Sequence, residues 1–325
     1  MSVLKTFGTM PDGRPVEKIV LTAGEIEAHF IPLGATIQAV HLKGFPHNLT
    51  LGLPTVEHYL TPGHCAGNIV GPVANRISGA KAEISGKSHH FEANEGANTL
   101  HGGPTGIQWQ LWDIVHADTT GATFQIQLPD GLGGFPGNRQ ITAQFSVTAP
   151  ADLTMILSAE TDAPTLMNPA NHSYWVLNGA SNISGHTLRI AADRFLPTTE
   201  NNVPTGQAKP VGGTPMDLRQ GITLPGPPLD NNFCLSDDDA PLRPVAWLSG
   251  PNGLSMVMET TAPGLQIYDG RRLSIGTHGP YAGLALEAQR WPDAPNNPVF
   301  PSVLLSPGEA FRQITRWRFR SRSIF

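Results

Sequence analysis

Apolar and polar residues alternate with a period of two in several windows of this chain. Ala122, Phe124, Ile126 and Leu128 are interleaved with Thr123, Gln125 and Gln127, and Ile141, Ala143, Phe145 and Val147 with Thr142, Gln144, Ser146 and Thr148. Successive side chains of a strand point to opposite faces, so this pattern predicts half-buried β-strands. It returns at Ile26, Ala28 and Phe30, and near the C-terminus in "FRQITRWRF", where Thr315, Trp317 and Phe319 oppose Arg316 and Arg318. Turn punctuation separates the windows, as in "PDGLGGFPGN", "PVGGTP" and "LPGPPLDNN". Only "TVEHYL", Thr55 to Leu60, reads as a short helix. No repeat, heptad or charge block divides the chain. The expectation is an all-β protein: one large antiparallel β-sandwich with few short helices, residues 1–325 forming a single domain.

Composition narrows the partners. Gly 35 and Pro 30 make up a fifth of 325 residues, above the roughly 12% of an average globular chain and below the ~25–30% of low-complexity sequence, which fits many turns. Charged residues are 14% and the formal net charge is -5. No electrostatic footprint for nucleic acid or anionic lipid follows from that, and a polar, uncharged partner fits better. The N-terminal stretch has no apolar signal region, and no run of 18 apolar residues occurs, so the expectation is a soluble, cytoplasmic protein with no membrane contact. Cys65 and Cys234 are too few and too far apart for a disulfide framework and read as free buried thiols.

Candidate chemistry starts at "NPANHSYWVL", Asn168 to Leu177, where His172 interrupts an apolar stretch that reads as a buried strand. It is either a satisfied core histidine or an acid-base group whose tautomer Asn171, Ser173 and Tyr174 could fix. Glu287, in "GLALEAQRWPDAPNNP", follows Leu284, Ala285 and Leu286. A carboxyl in such a run is either ion-paired with Arg290 or another arginine, or a base tuned by burial. The loop "GANTLHGGPTG" carries His101 without a phosphate-cradle pattern and reads as a turn that lets backbone approach a ligand. In "GPVANRISGAK", Asn75 and Arg76 could bind hydroxyls, or Arg76 could be an ion-pair partner. No metal-ligand spacing occurs among the 12 histidines, and Asp237 to Asp239 lack the rest of a calcium loop.

Taken together, "FGTMPDGRPV", "ANRISGAK", "NTLHGGPTG", "DGLGGFPGN", "NPANHSYWVLNG", "DNNF", "PGLQIYDG" and "LEAQRWPDAPNNPVFPSVLLSPGE" stand in the order found in the aldose 1-epimerases, which this chain resembles from Phe7 to Phe319. The resemblance to this galactose mutarotase family implies a supersandwich with a cleft across one sheet, and interconversion of the α and β anomers of free aldoses such as galactose or glucose. It implies His172 as general acid and Glu287 as general base, with Asn75, Arg76, His101, Tyr174, Asp230 and Gln266 around the sugar. Glu287, ionised near neutrality, would take the proton of the anomeric hydroxyl while His172 protonates the ring oxygen. The two transfers reverse on ring closure, so no metal or other cofactor is implied. The expected partner is one monosaccharide, and the protein a monomer or homodimer. Gly71-Pro72, Asn231, Trp175 and "EAQRWPD" depart from the usual family pattern and leave the preferred sugar open. Three rivals remain: a non-catalytic sugar sensor, a relative acting on phosphorylated sugars, and a glycoside hydrolase or lyase.

Overall fold

The structure is a computed structural model that describes residues 4–321; the first three residues of the N-terminal stretch and the last four of the chain lie outside the described residues. Three antiparallel sheets carry the architecture. Leu4–Thr9, Pro15–Ala23, Ile26–Ile31 and Thr36–Leu42 form a four-stranded meander. The nine-stranded sheet contains both windows that alternate most strictly, Gly121–Leu128 and Arg139–Thr148, paired residue for residue from Gly121 opposite Ser146 to Leu128 opposite Arg139. In both strands the alternating apolar set is buried and the interleaved Thr, Gln and Ser residues are half-buried or exposed, as period-two sequence requires, with Arg139 at the strand end buried on the apolar face.

The C-terminal strand Phe311–Arg320 runs between Asp152–Thr161 and Ser255–Thr260, joining segments distant in sequence. Phe311, Gln313, Thr315, Trp317 and Phe319 are buried there while the intervening residues are less so. A six-stranded sheet lies against this one, in the order Tyr174–Trp175, Leu284–Gln289, Gly264–Tyr268, Asp230–Cys234, Arg194–Phe195 and Lys209–Pro210. Its back face gives Trp175, Leu284, Leu286, Leu265, Ile267 and Phe233 to the main core, which they share with Leu153, Trp317 and Phe319. The Trp175 ring lies 5.6 Å from that of Trp317 and 5.7 Å from that of Phe319. Burying this apolar face fixes the sheet and leaves its other face free to form a polar cleft.

The expected helix is present at Val56–Leu60, and the other helical pieces are three-residue 3₁₀ turns. No helix among the described residues is long and apolar enough to cross a membrane. Cys65 and Cys234 are free and buried. One expectation needs correction: the stretch around His172 is not one buried strand. Ala170–Asn171 pairs with Ile69–Val70, while Tyr174–Trp175 pairs with Leu284–Gln289 in a different sheet. His172 and Ser173 make the step between the two, so the histidine sits at a bend where its ring can leave the core.

Trp317→Ala should remove about 3–5 kcal/mol of stability, as expected for deleting a fully buried aromatic side chain that bridges two sheets. Urea unfolding of the variant against the parent chain measures it; a loss below about 1 kcal/mol would mean the two sheets are held together elsewhere.

Candidate active site

The eight residues singled out in the sequence, Asn75, Arg76, His101, His172, Tyr174, Asp230, Gln266 and Glu287, all line one open cleft of about 480 Å³. That volume falls in the ~300–1,000 Å³ range of small-molecule sites. Its floor is the free face of the six-stranded sheet. Glu287 stands opposite Gln266, which stands opposite Asn232; one step along, Tyr174 is opposite Ala285, Ala285 opposite Tyr268, and Tyr268 opposite Asp230. Because side chains two apart share a face, cross-strand pairing presents these groups as two adjacent rows. Gln266 Nε2 donates to Asp230 Oδ1 at 2.9 Å, tying the carboxylate into the floor.

A side wall comes from two segments that sequence reading kept apart. Arg76–Ile77 pairs with Thr99–Leu100, and Asn75 and His101 flank the pair. Both adopt the left-handed conformation that side chains other than glycine rarely take, φ 61° and 53°. They clasp each other: His101 N–H donates to Asn75 O at 2.9 Å, and Asn75 N–H donates to His101 Nδ1 at 3.0 Å. The glycine after His101 is obligatory, since a Cβ on Gly102 would lie 2.1 Å from the Gly71 carbonyl oxygen. The clasp sets the His101 tautomer. Nδ1 accepts, so the neutral ring carries its proton on Nε2 and offers a donor.

Arg76 is both an ion-pair partner and a cleft residue. Its Nε and Nη2 donate to the two Glu95 oxygens at 2.6 and 2.7 Å, and its Nη1 reaches Asn75 Oδ1 at 3.4 Å. At the other end of the cleft Arg271 is paired with the buried Asp269, donating from Nε at 3.0 Å. Arg290 lies against Asp239 and does not pair with Glu287. The carboxyl instead faces an imidazole: His172 Nε2 lies 3.4 Å from Glu287 Oε1, with side-chain exposures of 8% and 3%.

The flanking residues do not fix the His172 ring as the sequence suggested. The Asn171 amide donates to the Gly67 carbonyl and its oxygen accepts from Ser173 N–H, so it is occupied with backbone at the bend. The ring is bracketed by aromatic neighbours, Tyr174 at 5.0 Å and His101 edge-on at 5.3 Å, and held through backbone bonds to Asn68 and Gly67. Its Nδ1 and Glu287 Oε2 are buried without a hydrogen-bond partner among the described residues.

These surroundings set the proton balance. Burial pushes the Glu287 carboxyl up to about 8; the negative charge of Asp230 adds to the rise and Arg76 opposes it. Burial pulls His172 down to about 4. Burial thus favours the neutral forms of both groups, a protonated Glu287 and an unprotonated His172, in place of the expected free carboxylate, because desolvation outweighs Arg76, whose guanidinium is engaged by Glu95. Burial, reinforced by the neighbouring His172 and Arg76, which disfavour a second positive charge, also holds His101 well below the usual histidine range. The Tyr174 hydroxyl is held well above its ordinary value by burial and then by Glu287.

The candidate ligand atoms of His101, His172 and Glu287 lie within 4.8 Å of one another. Chemistry argues against a cation there. A metal-binding imidazole donates its second N–H outward, whereas His101 accepts at Nδ1 and keeps the proton on the nitrogen a metal would need. Two imidazoles and a carboxyl this close can share protons among themselves. Sequence reading missed Glu95, Tyr268, Arg271 and Arg272, which also line the cleft, and Asp269 behind them. Glu95 stands six residues before His101, and an acid that close to the glycine-rich loop was the one available signal.

The family model described as aldose 1-epimerase matches residues 17–318. The galactose mutarotase of Mus musculus is 36% identical over 98% of this chain and 99% of its own length, and the aldose 1-epimerase of Escherichia coli K12 is 32% identical over 97% and 98%. Among solved structures, an aldose epimerase homologue from C. elegans superposes with a TM-score of 0.89 at 27% identity, covering 95% of this chain and all of the other. A galactose 1-epimerase from Lactobacillus acidophilus gives 0.87 at 26% identity, covering 98% of each.

Imidazole NMR over a pH titration should place the His172 midpoint at about 4, with no step near 6.5. A midpoint at the ordinary histidine value would show that the ring is solvated or ion-paired.

Proposed function

The chain belongs to the aldose 1-epimerase family and is an isomerase of that kind, and on this premise we propose that Glu287 is its general base and His172 its general acid. The reading rests on one observation: a buried carboxyl and a buried imidazole 3.4 Å apart on the floor of a polar cleft. Anomer exchange needs a proton removed from the anomeric hydroxyl and one delivered to the ring oxygen. The C1–O5 bond then breaks, C1 becomes an aldehyde, rotation about C1–C2 turns its other face to O5, and closure reverses both transfers.

With Glu287 raised to about 8 and His172 lowered to about 4, the pair shares one proton near neutrality in this reading, and burial favours it on Glu287 before sugar binds. A sugar hydroxyl donating to Glu287 Oε2, which has no partner among the described residues, stabilises the carboxylate and drives the proton onto His172. Both arrangements contain the same number of protons, so the shift costs no exchange with solvent. His101 donates to a hydroxyl from Nε2, Arg76 from Nη1, and Asn75, Asp230 and Gln266 take the remaining ones, while Tyr174 lies beside the acid.

The sugar is a free, uncharged aldose such as galactose or glucose. Of the three arginines that line the cleft, Arg76 and Arg271 are each paired with a carboxylate, which leaves Arg272 alone among the described residues there and short of the cluster of free guanidinium groups that a phosphate calls for. A non-catalytic sugar sensor would not need a carboxyl and an imidazole buried together at the cost of their hydration. We take residues 1–325 as a single catalytic domain acting as a monomer or homodimer in the cytoplasm, in keeping with two unpaired cysteines.

Polarimetry on freshly dissolved α-galactose and α-glucose should show accelerated relaxation; rates unchanged across several aldoses would leave a sensor. Glu287→Gln and His172→Asn should each lower kcat by roughly 10²- to 10⁴-fold with sugar affinity within about tenfold. A fully active variant would remove that residue from its role. The pH profile of kcat/KM should be a bell with limbs at about 4 and about 8. Below the lower limb both groups are protonated and no base remains; above the upper limb both are deprotonated and no acid remains. A profile that rises with a midpoint near 6.5 would mean that the pair is not buried as described.

A further inference from the structure

Next to the cleft lies a second chamber of about 10 Å³, which shares Asn75, Asp230, Gln266, Thr198 and Asn202 with it. A space of that size holds about one water-sized oxygen. Its distinctive wall is Asn232. This side chain stands opposite Gln266 in the sheet register, and Gln266 stands opposite Glu287, so the three share one face. Asn232 is 1% exposed, and neither Oδ1 nor Nδ2 has a hydrogen-bond partner among the described residues. Its neighbour Asn231 differs, donating from Nδ2 to the Leu196 carbonyl at 3.0 Å.

A carboxamide offers two donors and two acceptor positions, and leaving them all unmet in the interior is unfavourable. The backbone nevertheless reserves room for this one. A Cβ on Gly264 would lie 2.7 Å from Asn232 Oδ1 and 3.0 Å from Nδ2, so any larger residue there would push the amide out of place.

We propose that Asn232 is a positioning and specificity-determining residue: it binds one water in the chamber and through it orients the Gln266 and Asp230 groups that read a ring hydroxyl. Gln266 Nε2 is committed to Asp230 Oδ1, so a water held by Asn232 decides which remaining donor and acceptor of that pair face the sugar. The epimerase reading supplies the sugar in this inference, and Asn232 takes no part in proton transfer.

The test is sugar binding by calorimetry and turnover by polarimetry on the full chain and on Asn232→Leu, Asn232→Asp and Gly264→Ala. Galactose and its monodeoxy analogues are the ligands. Asn232→Leu and Gly264→Ala should weaken galactose binding by roughly tenfold, the loss expected when one buried polar partner is removed. The penalty should fall below about twofold for the one deoxy sugar that lacks the hydroxyl read by Asp230 and Gln266. Asn232→Asp, which keeps the acceptor, should lose less than Asn232→Leu. Affinity unchanged in a folded Asn232→Leu, or an equal penalty for every deoxy sugar, overturns the proposal; should that variant not fold, Gly264→Ala and Asn232→Asp decide it by the same pattern. A parent chain that binds galactose without epimerising it would overturn the catalytic reading instead, and the affinity ratios would still judge Asn232.

Discussion

The site depends on burying a carboxyl beside an imidazole with no guanidinium ion-paired to either among the described residues. Glu287 and His172 are both almost fully enclosed, and the arginines that could have ionised the acid face other partners: Arg76 takes Glu95, Arg271 takes Asp269, and Arg290 takes Asp239. A guanidinium on Glu287 would pin it as a carboxylate and weaken it as a base. With those contacts made elsewhere, burial, helped by Asp230 and only partly opposed by Arg76, pushes the Glu287 pKa up, and burial pushes that of His172 down. Small changes in hydrogen bonding at either group can then move a proton between them, and a bound sugar supplies such changes.

The two sides of the cleft are held in different ways. The floor is a sheet whose back is packed against the main core through Trp175, Leu284, Leu286 and Phe233, so Glu287, Gln266 and Asp230 inherit their positions from a ladder of backbone hydrogen bonds. The wall has no such backing at Asn75 and His101. There, two strained residues hold each other through reciprocal backbone and ring contacts, and the strain is balanced by the pairing of the short strands they flank. The floor is thus fixed by long-range strand pairing and the wall by a local clasp, and the cleft residues are held by both.

This contrast bears on where the chain departs from its family. Departures from the usual family pattern fall at Pro72, next to the wall, and at Asn231, next to Asp230. Asn231 spends its amide on the Leu196 carbonyl, which draws the segment following it toward the cleft, where Thr198 and Asn202 contribute to the lining. The departures from the family pattern thus fall on the wall and rim, where loops tolerate change, while the paired floor carries the buried carboxyl together with Asp230 and Gln266.

The sequence by itself determined the class of fold, because half-buried strands must alternate: Gly121–Leu128, Arg139–Thr148 and Phe311–Arg320 were legible from period two alone. It also marked Glu287 and His172 as out of place in apolar surroundings, and the family motifs brought the remaining site residues into view. Only the tertiary structure decided that the stretch around His172 breaks across two sheets, that Glu95 and not a ligand occupies the Arg76 fork, and that Asn171 serves the backbone. The direction in which the two pKa values shift also follows from the tertiary structure alone. A pKa follows from the dielectric and the charges around a group, and for Glu287 the charges come from Asp230 and Arg76, on segments far apart in the chain that no local pattern can bring together.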